Sequence, residues 1–177
     1  MIRKATMEDL GRTAEIYSEI HLEEECGKVT IGWERDVYPT YDTAKAAWQR
    51  GELFVMEENA MIVGAAVINQ TQVDVYKDAR WEYEAEDHEV MVLHTLVISP
   101  KVKGRGYGTE FVRFYEQYAW ENGCKYLRID TNVRNTIART MYKKLGYKEI
   151  DIVPCIFNGI EGVDLVLIEK YLGNIVR

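Results

Sequence analysis

Residues 93–123 read LHTLVISPKVKGRGYGTEFVRFYEQYAWENG, and the fold is decided by how this stretch is read. It closes the run Val90 to Ser99, the longest β-branched and apolar segment of the chain, as expected of a central strand buried on both faces. Pro100 ends that strand. Glycines at 104, 106 and 108 form a loop, and an amphipathic helix follows. Phe111, Val112, Tyr115, Tyr118 and Ala119 share one side of it, with Glu110, Arg113, Gln117 and Glu121 mainly on the other and Asn122-Gly123 as its stop. A strand, glycine loop and helix in this order suit an anionic group. Unpaired N–H groups of the loop and first helical turn converge at the positive end of the helix dipole, and glycine has no Cβ to hold a phosphate away.

Upstream, Ile2 to Thr6 reads as a short strand. Met7-Glu8-Asp9 opens a helix with Leu10, Ala14, Tyr17 and Ile20 at helical spacing. Glu23 to Pro39 mixes charges with Gly27, Gly32, Trp33 and Tyr38, and reads as an irregular connection. Tyr41 to Arg50 is a short helix stopped by Gly51. Leu53–Glu57 and Met61–Asn69 form a hairpin through the turn 57–60, and the polar, aromatic stretch Asp74 to Glu89 is a long excursion before the central strand. Downstream, Tyr126 to Asp130 is a strand, Asn135 caps a helix from Thr136 to Leu145, and Gly146 ends it. Tyr147 to Pro154 and Gly162 to Tyr171 are the last strands. With no repeat, low-complexity tract or linker, residues 1–177 are expected to form one α/β domain.

Composition narrows the function. Apolar residues make up 47% and charged residues 29%, as in ordinary globular proteins. Twenty-two basic residues against 29 acidic ones give a formal charge of −7, which argues against a general nucleic-acid footprint; an acidic surface suits a cationic or amine-bearing small molecule, though such a balance more often only aids solubility. Three cysteines without a CxxC pair argue against a disulfide framework or a zinc site, so no metal is expected. The N-terminal MIRKATMEDL has no apolar core of a leader, and no apolar run approaches membrane-spanning length, so a cytoplasmic address without membrane contact is expected.

The glycine loop alone does not choose among nucleotide folds. A dinucleotide fingerprint wants a third glycine where Thr109 stands, and a Walker A loop would end in Gly-Lys-Ser/Thr. The second half adds a constraint. Asn135 and Tyr142 lie seven residues apart on one helix, which brings them to within about 20° of the same face and roughly 10 Å apart along the axis. An amide and a phenol then point into one cleft, unless Asn135 is only a cap and Tyr142 only a core aromatic.

Together the two segments resemble the GNAT superfamily of acyl-CoA-dependent N-acetyltransferases. Its pyrophosphate loop, Gln/Arg-x-x-Gly-x-Gly/Ala, is similar to Lys103-Gly-Arg-Gly106-Tyr-Gly108, with lysine as a mild departure at the first position. Its second signature, an Asn, a Tyr seven later and Leu-Gly-Phe/Tyr, is similar to Asn135 through Tyr142 to Leu145-Gly146-Tyr147. The resemblance implies a mixed, mostly antiparallel central sheet flanked by helices and splayed around its central strands. It implies acetyl-CoA as co-substrate, with the pantetheine arm on Leu96, Val97 and Ile98 and on Asn135. The pyrophosphate is expected on Lys103, Gly104, Arg105, Gly106, Tyr107, Gly108 and Thr109. Tyr142 is expected to protonate the leaving thiolate, with direct transfer to an amine bound at the same time. Members are often homodimers; the sequence leaves the oligomeric state open.

For the base that takes the amine proton, His94 is the first choice, since two-residue alternation puts it on the face of Leu96 and Ile98. A hydrogen-bonded core histidine is the equal alternative. Asp130 is the second candidate, with loop anchoring as its alternative. Trp33, Tyr38, Asp74, Tyr76, Trp81 and Glu84 form the candidate acceptor wall, acidic and aromatic, suited to a small cationic amine. A catalytically silent acyl-CoA-binding module, a peptide-amine acetyltransferase and, more distantly, a nucleotide-binding oxidoreductase are the competing readings.

Overall fold

The computed structural model describes residues 1–173. Its elements are β1 (Ile2–Lys4), α1 (Asp9–Glu25), α2 (Tyr41–Gln49), β2 (Leu53–Glu58), β3 (Met61–Asn69), β4 (Val90–Ile98), α3 (Tyr107–Glu121), β5 (Tyr126–Asn132), α4 (Thr136–Lys144), β6 (Lys148–Phe157) and β7 (Ile160–Tyr171). The seven strands form one sheet in the order β1-β2-β3-β4-β5-β7-β6. Every pairing is antiparallel except β4 with β5. This is the mixed, mostly antiparallel α/β fold expected from the sequence.

Each face of the sheet carries its own apolar layer. On one face, Phe111, Val112, Tyr115 and Ala119 of α3 pack on Leu93, Leu127, Ile129, Val166 and Ile168. The Tyr115 hydroxyl, buried in that layer, donates to the Met91 carbonyl at 2.6 Å and ties α3 to the central strand. On the other face, α1 and α2 bury Ile16, Tyr17, Ile20, Ala44 and Ala47 against Val55, Ala65, Val67 and Val97. Farther along that face the excursion 70–89 covers Val90, Val92, Leu165 and Leu167, chiefly through Tyr76. The alternation of β7 explains the division: Leu165 and Leu167 face one layer, Val166 and Ile168 the other.

Two departures from strand regularity shape the centre. The parallel pairing of β4 with β5 runs from Val90↔Tyr126 to Leu93↔Ile129 and stops, while β4 continues to Ile98 and β5 to Asn132. The two strands therefore part beyond Leu93. On its other side β4 stays paired with β3, but Val67 opposes His94 while Ala65 opposes Val97, so β4 carries one residue more. The extra residue is accommodated at Thr95, whose φ of 50° is left-handed. Gly64 lets this paired segment come close: a Cβ there would meet Ile98 Cδ1 at 2.6 Å and the Val97 carbonyl at 2.9 Å.

The last two strands are longer than the sequence suggested. β6 runs on through Pro154 to Phe157, because it is an edge strand and a proline costs no ladder bond on the open side. It turns at Asn158-Gly159, both at positive φ, into Ile160.

Candidate active site

A cleft of about 540 Å³ opens where β4 and β5 separate. Leu96, Val97 and Ile98 form part of its lining, with the glycine loop and α4 beyond them. Opposite lie the connection after α1, the end of β5 and the β6–β7 hairpin.

The glycine loop leads into the N-terminus of α3. A single 3-10 turn, Pro100–Val102, separates it from β4, with the Ser99 hydroxyl accepting from the Lys101 N–H. Gly104 and Gly106 have φ of 83° and 80°, and a Cβ on either would meet nothing within 4 Å, so glycine is needed there for conformation and leaves an open surface. Gly108 has a different reason, since its Cβ would meet Met141 Sδ of α4 at 3.2 Å. Among the described residues, the backbone N–H groups of Gly104 through Thr109 have no protein acceptor, and the first bond of the helix is Glu110 N–H to the Gly106 carbonyl. Six consecutive free donors at the positive end of a 15-residue helix are a ready anion seat. Lys103 and Arg105 are exposed beside them, and neither is in an ion pair among the described residues.

Asn135 and Tyr142 meet in the cleft, as their spacing predicts. Asn135 serves as cap as well: its Oδ1 accepts from the Ala138 N–H at 3.2 Å, leaving the amide NH₂ to the cleft. Tyr142 is buried in the α3–α4 layer and lines the cleft, and its hydroxyl takes no hydrogen bond from the described residues. Burial holds its phenol well above the ordinary range, with a further upward push from Asp130.

Asp130 lies on the opposite face. Its neighbour Ile129 belongs to the α3–α4 layer, and β5 alternates. The Asp130 carboxylate accepts the Tyr76 hydroxyl at 2.6 Å. Burial raises its pKa to about 6, with the Tyr76 hydrogen bond only partly opposing the shift. It also raises Tyr38, whose hydroxyl is hydrogen-bonded to Thr95 Oγ1 and whose pKa is pushed up to about 12, mainly by burial. Tyr142 and Asp130 thus address one opening in the sheet from its two sides.

The structure separates the remaining sequence candidates. His94 lines the cleft, but the bulge at Thr95 breaks the alternation that was to align it with Leu96 and Ile98. Those two pack in the α3–α4 layer with Leu93, and His94 points the other way. Its Nε2 is held by Asn69 Oδ1 at 2.9 Å, and Asn69 Nδ2 donates in turn to Glu52 at 3.0 Å. Burial lowers its pKa to about 4, so the ring is neutral at pH 7.

Trp33 and Tyr38 do line the cleft, ring edge to face with centroids 5.9 Å apart. Asp74, Tyr76, Trp81 and Glu84 do not. Asp74 is exposed and paired with Lys77, and Glu84 is exposed. Tyr76 is 2% exposed, a core ring that supports Asp130 from behind. Trp81 packs on Tyr76 and holds the Arg128 guanidinium 4.1 Å from its ring centroid, which fastens the excursion to β5. These four lie off the cleft because the excursion folds down onto the sheet, burying Tyr76 and half-burying Trp81, while Asp74 and Glu84 stay at the surface.

Other residues complete the cleft without a sequence signal strong enough to find them. Thr95 looks like any strand residue until its pairing is known. Phe157, Ile160 and Val163 come from the β6–β7 hairpin; Asn158-Gly159 marks its turn, but a turn signal does not say that these side chains reach the cleft. Among the described residues no group of three or more His, Cys, Asp or Glu side chains is arranged to hold a metal ion, and no helix is long and apolar enough to cross a membrane.

The profile of the acetyltransferase (GNAT) family matches residues 14–147, well over half of the chain. An acetyltransferase of that family from Streptococcus agalactiae superposes with a TM-score of 0.81 at 21% identity, covering 97% of this chain and 94% of that one. A Salmonella typhimurium structure solved with its cofactor acetyl-CoA gives 0.71 at 17% identity over 100% and 96%. An uncharacterised N-acetyltransferase of Methanocaldococcus jannaschii is 28% identical over 153 residues, 86% of this chain. The chain spans between 51% and 62% of the length of the curated relatives it matches.

Proposed function

Because the chain belongs to the acetyltransferase (GNAT) family, we propose that it transfers an acetyl group from acetyl-CoA to the primary amine of a small molecule, directly, with both substrates bound in one domain. One observation carries this reading. A sheet opening has six free N–H donors and a phenol on one face and a half-buried carboxylate on the other.

The site fits acetyl-CoA. The free N–H groups of 104–109, with Lys103 and Arg105, match a diphosphate, and the freed edge of Leu96 to Ile98 with the Asn135 amide matches a peptide-like arm. Bound acetyl-CoA supplies an acetyl thioester activated toward amine attack. The residues do the rest. An N–H of the freed β4 edge is the donor for the carbonyl oxygen as charge develops on it. Tyr142, kept protonated by burial, holds the proton for the departing sulfur at its hydroxyl. Asp130 receives the amine proton, and we assign it this role ahead of His94. A ring with a pKa near 4 that is fixed to Asn69 has little drive to take a proton.

CoA release with acetyl-CoA and a set of amines tests the reading. Turnover that needs Tyr142 and Asp130 supports it. Tight acetyl-CoA binding with no CoA release from any amine would point to a silent acyl-CoA-binding module instead.

A further inference from the structure

The acceptor side of the cleft is chemically narrow. The sheet divides the cleft into two ends. Val102, Tyr107, Met141 and Tyr142 belong to the α3–α4 layer, while Tyr38, Phe157, Ile160 and Val163 belong to the cluster around Tyr76 on the Asp130 side. The Asp130 end is therefore walled by two aromatic rings and two aliphatic side chains, with Trp33 at its edge.

Charge at that end is equally restricted. Two acidic residues line the whole cleft, Glu23 and Asp130. Glu23 is engaged by Lys28 at 3.0 Å, so of these two Asp130 is the one with no cation partner among the described residues. Tyr76 satisfies one of its oxygens; the other has no donor among the described residues. Arg50, the cationic residue lining the Asp130 face of the cleft, is held by Glu52 at 2.7 Å. An ammonium is thus asked for once, a second positive charge finds no free carboxylate in the lining, and the lining of this end offers an acceptor carboxylate no unpaired cation.

From this arrangement we propose that the acceptor is a primary monoamine with an apolar body, an aralkylamine or alkylamine, seated with its nitrogen at Asp130 and its body against Tyr38, Phe157, Ile160 and Val163. The inference rests on the acetyl-transfer reading above. It replaces the acidic wall expected from the sequence with a single carboxylate in an apolar pocket, and polyamines, aminoglycosides, amino acids and acidic peptides fall outside the class. Aromatic faces beside the ammonium add cation–π attraction that an alkyl-lined pocket lacks.

The test compares phenethylamine, spermidine, kanamycin and L-phenylalanine as acceptors by CoA release, with acetyl-CoA binding measured separately by calorimetry. The expected result is a kcat/KM for phenethylamine at least about tenfold above each of the others. Asp130→Asn should lower this turnover by about 10²-fold or more while acetyl-CoA still binds. Phe157→Glu, which sets a second carboxylate in the apolar wall, should shift the ratio toward spermidine. Faster turnover of spermidine, kanamycin or L-phenylalanine, or an unchanged ratio in a folded Phe157→Glu protein, overturns the proposal; acetyl-CoA binding with no CoA release from any of the amines overturns the transferase reading with it. Failure to bind acetyl-CoA at all would instead remove the reading beneath it.

Discussion

Asp130 is held in a state that costs stability once it ionises. Its folded pKa is about 6, above the 3.8 of a free side chain, so the folded protein binds the proton more tightly than the unfolded chain. The corresponding stability is present at low pH and lost as pH rises through about 6. Two units correspond to roughly 3 kcal/mol at most. Asp130→Asn keeps an acceptor for the Tyr76 hydroxyl and removes the charge, so at pH 8 it is expected to raise the thermal midpoint while acetyl transfer falls by about 10²-fold or more. In the wild-type protein, kcat/KM for the amine should decline as pH drops through about 6. His94 runs the opposite way. Its pKa is lowered from 6.5 to about 4, so its contribution is present above 6.5 and fades as pH falls toward 4. His94→Gln should therefore cost only a few-fold in kcat, whereas Tyr142→Phe should cost about 10²-fold with acetyl-CoA affinity kept. Comparable losses in His94→Gln and Asp130→Asn would return the base to His94.

Among the elements, the glycine loop and α3 were the most legible. Their signals are local: turn residues with positive φ, a proline stop, a 3.6-residue apolar period. Gly106→Ala tests the loop. The added Cβ meets nothing, so the cost is the left-handed backbone alone, about 1–2 kcal/mol, and the expected effect is a roughly tenfold weaker acetyl-CoA affinity measured by calorimetry. An unchanged affinity would show that the loop conformation does not set the anion seat. The central strand was legible as a strand and misleading in its parity. A bulge is a property of two strands in register, so nothing within Val90 to Ile98 announces the turn at Thr95 that reverses His94 against Leu96.

At the scale of the whole molecule, the excursion 70–89 acts as a buttress. Tyr76 carries Asp130, Trp81 packs on Tyr76 with ring centroids 5.1 Å apart, and Arg128 stacks on Trp81. Trp81→Ala is expected to lower stability by about 2–3 kcal/mol in denaturant unfolding and to reduce amine turnover more than acetyl-CoA affinity, because Tyr76 loses its backing. An equal loss of both would place the excursion's role elsewhere. The sequence by itself determined the order of elements, the phosphate-type loop, the cap and phenol of α4, and the family to which they belong. Each of these rests on residues near one another along the chain, where backbone preference and helical periodicity act directly. Only the tertiary structure decided which side of the sheet each group lies on, that Asp130 and not Asp74 or Glu84 lines the cleft, and that Tyr76 and Trp81 pack behind Asp130. Those placements depend on where β4 leaves β5 and on how a polar excursion packs Tyr76 and Trp81 onto the sheet, and both are settled by long-range packing that no local pattern encodes.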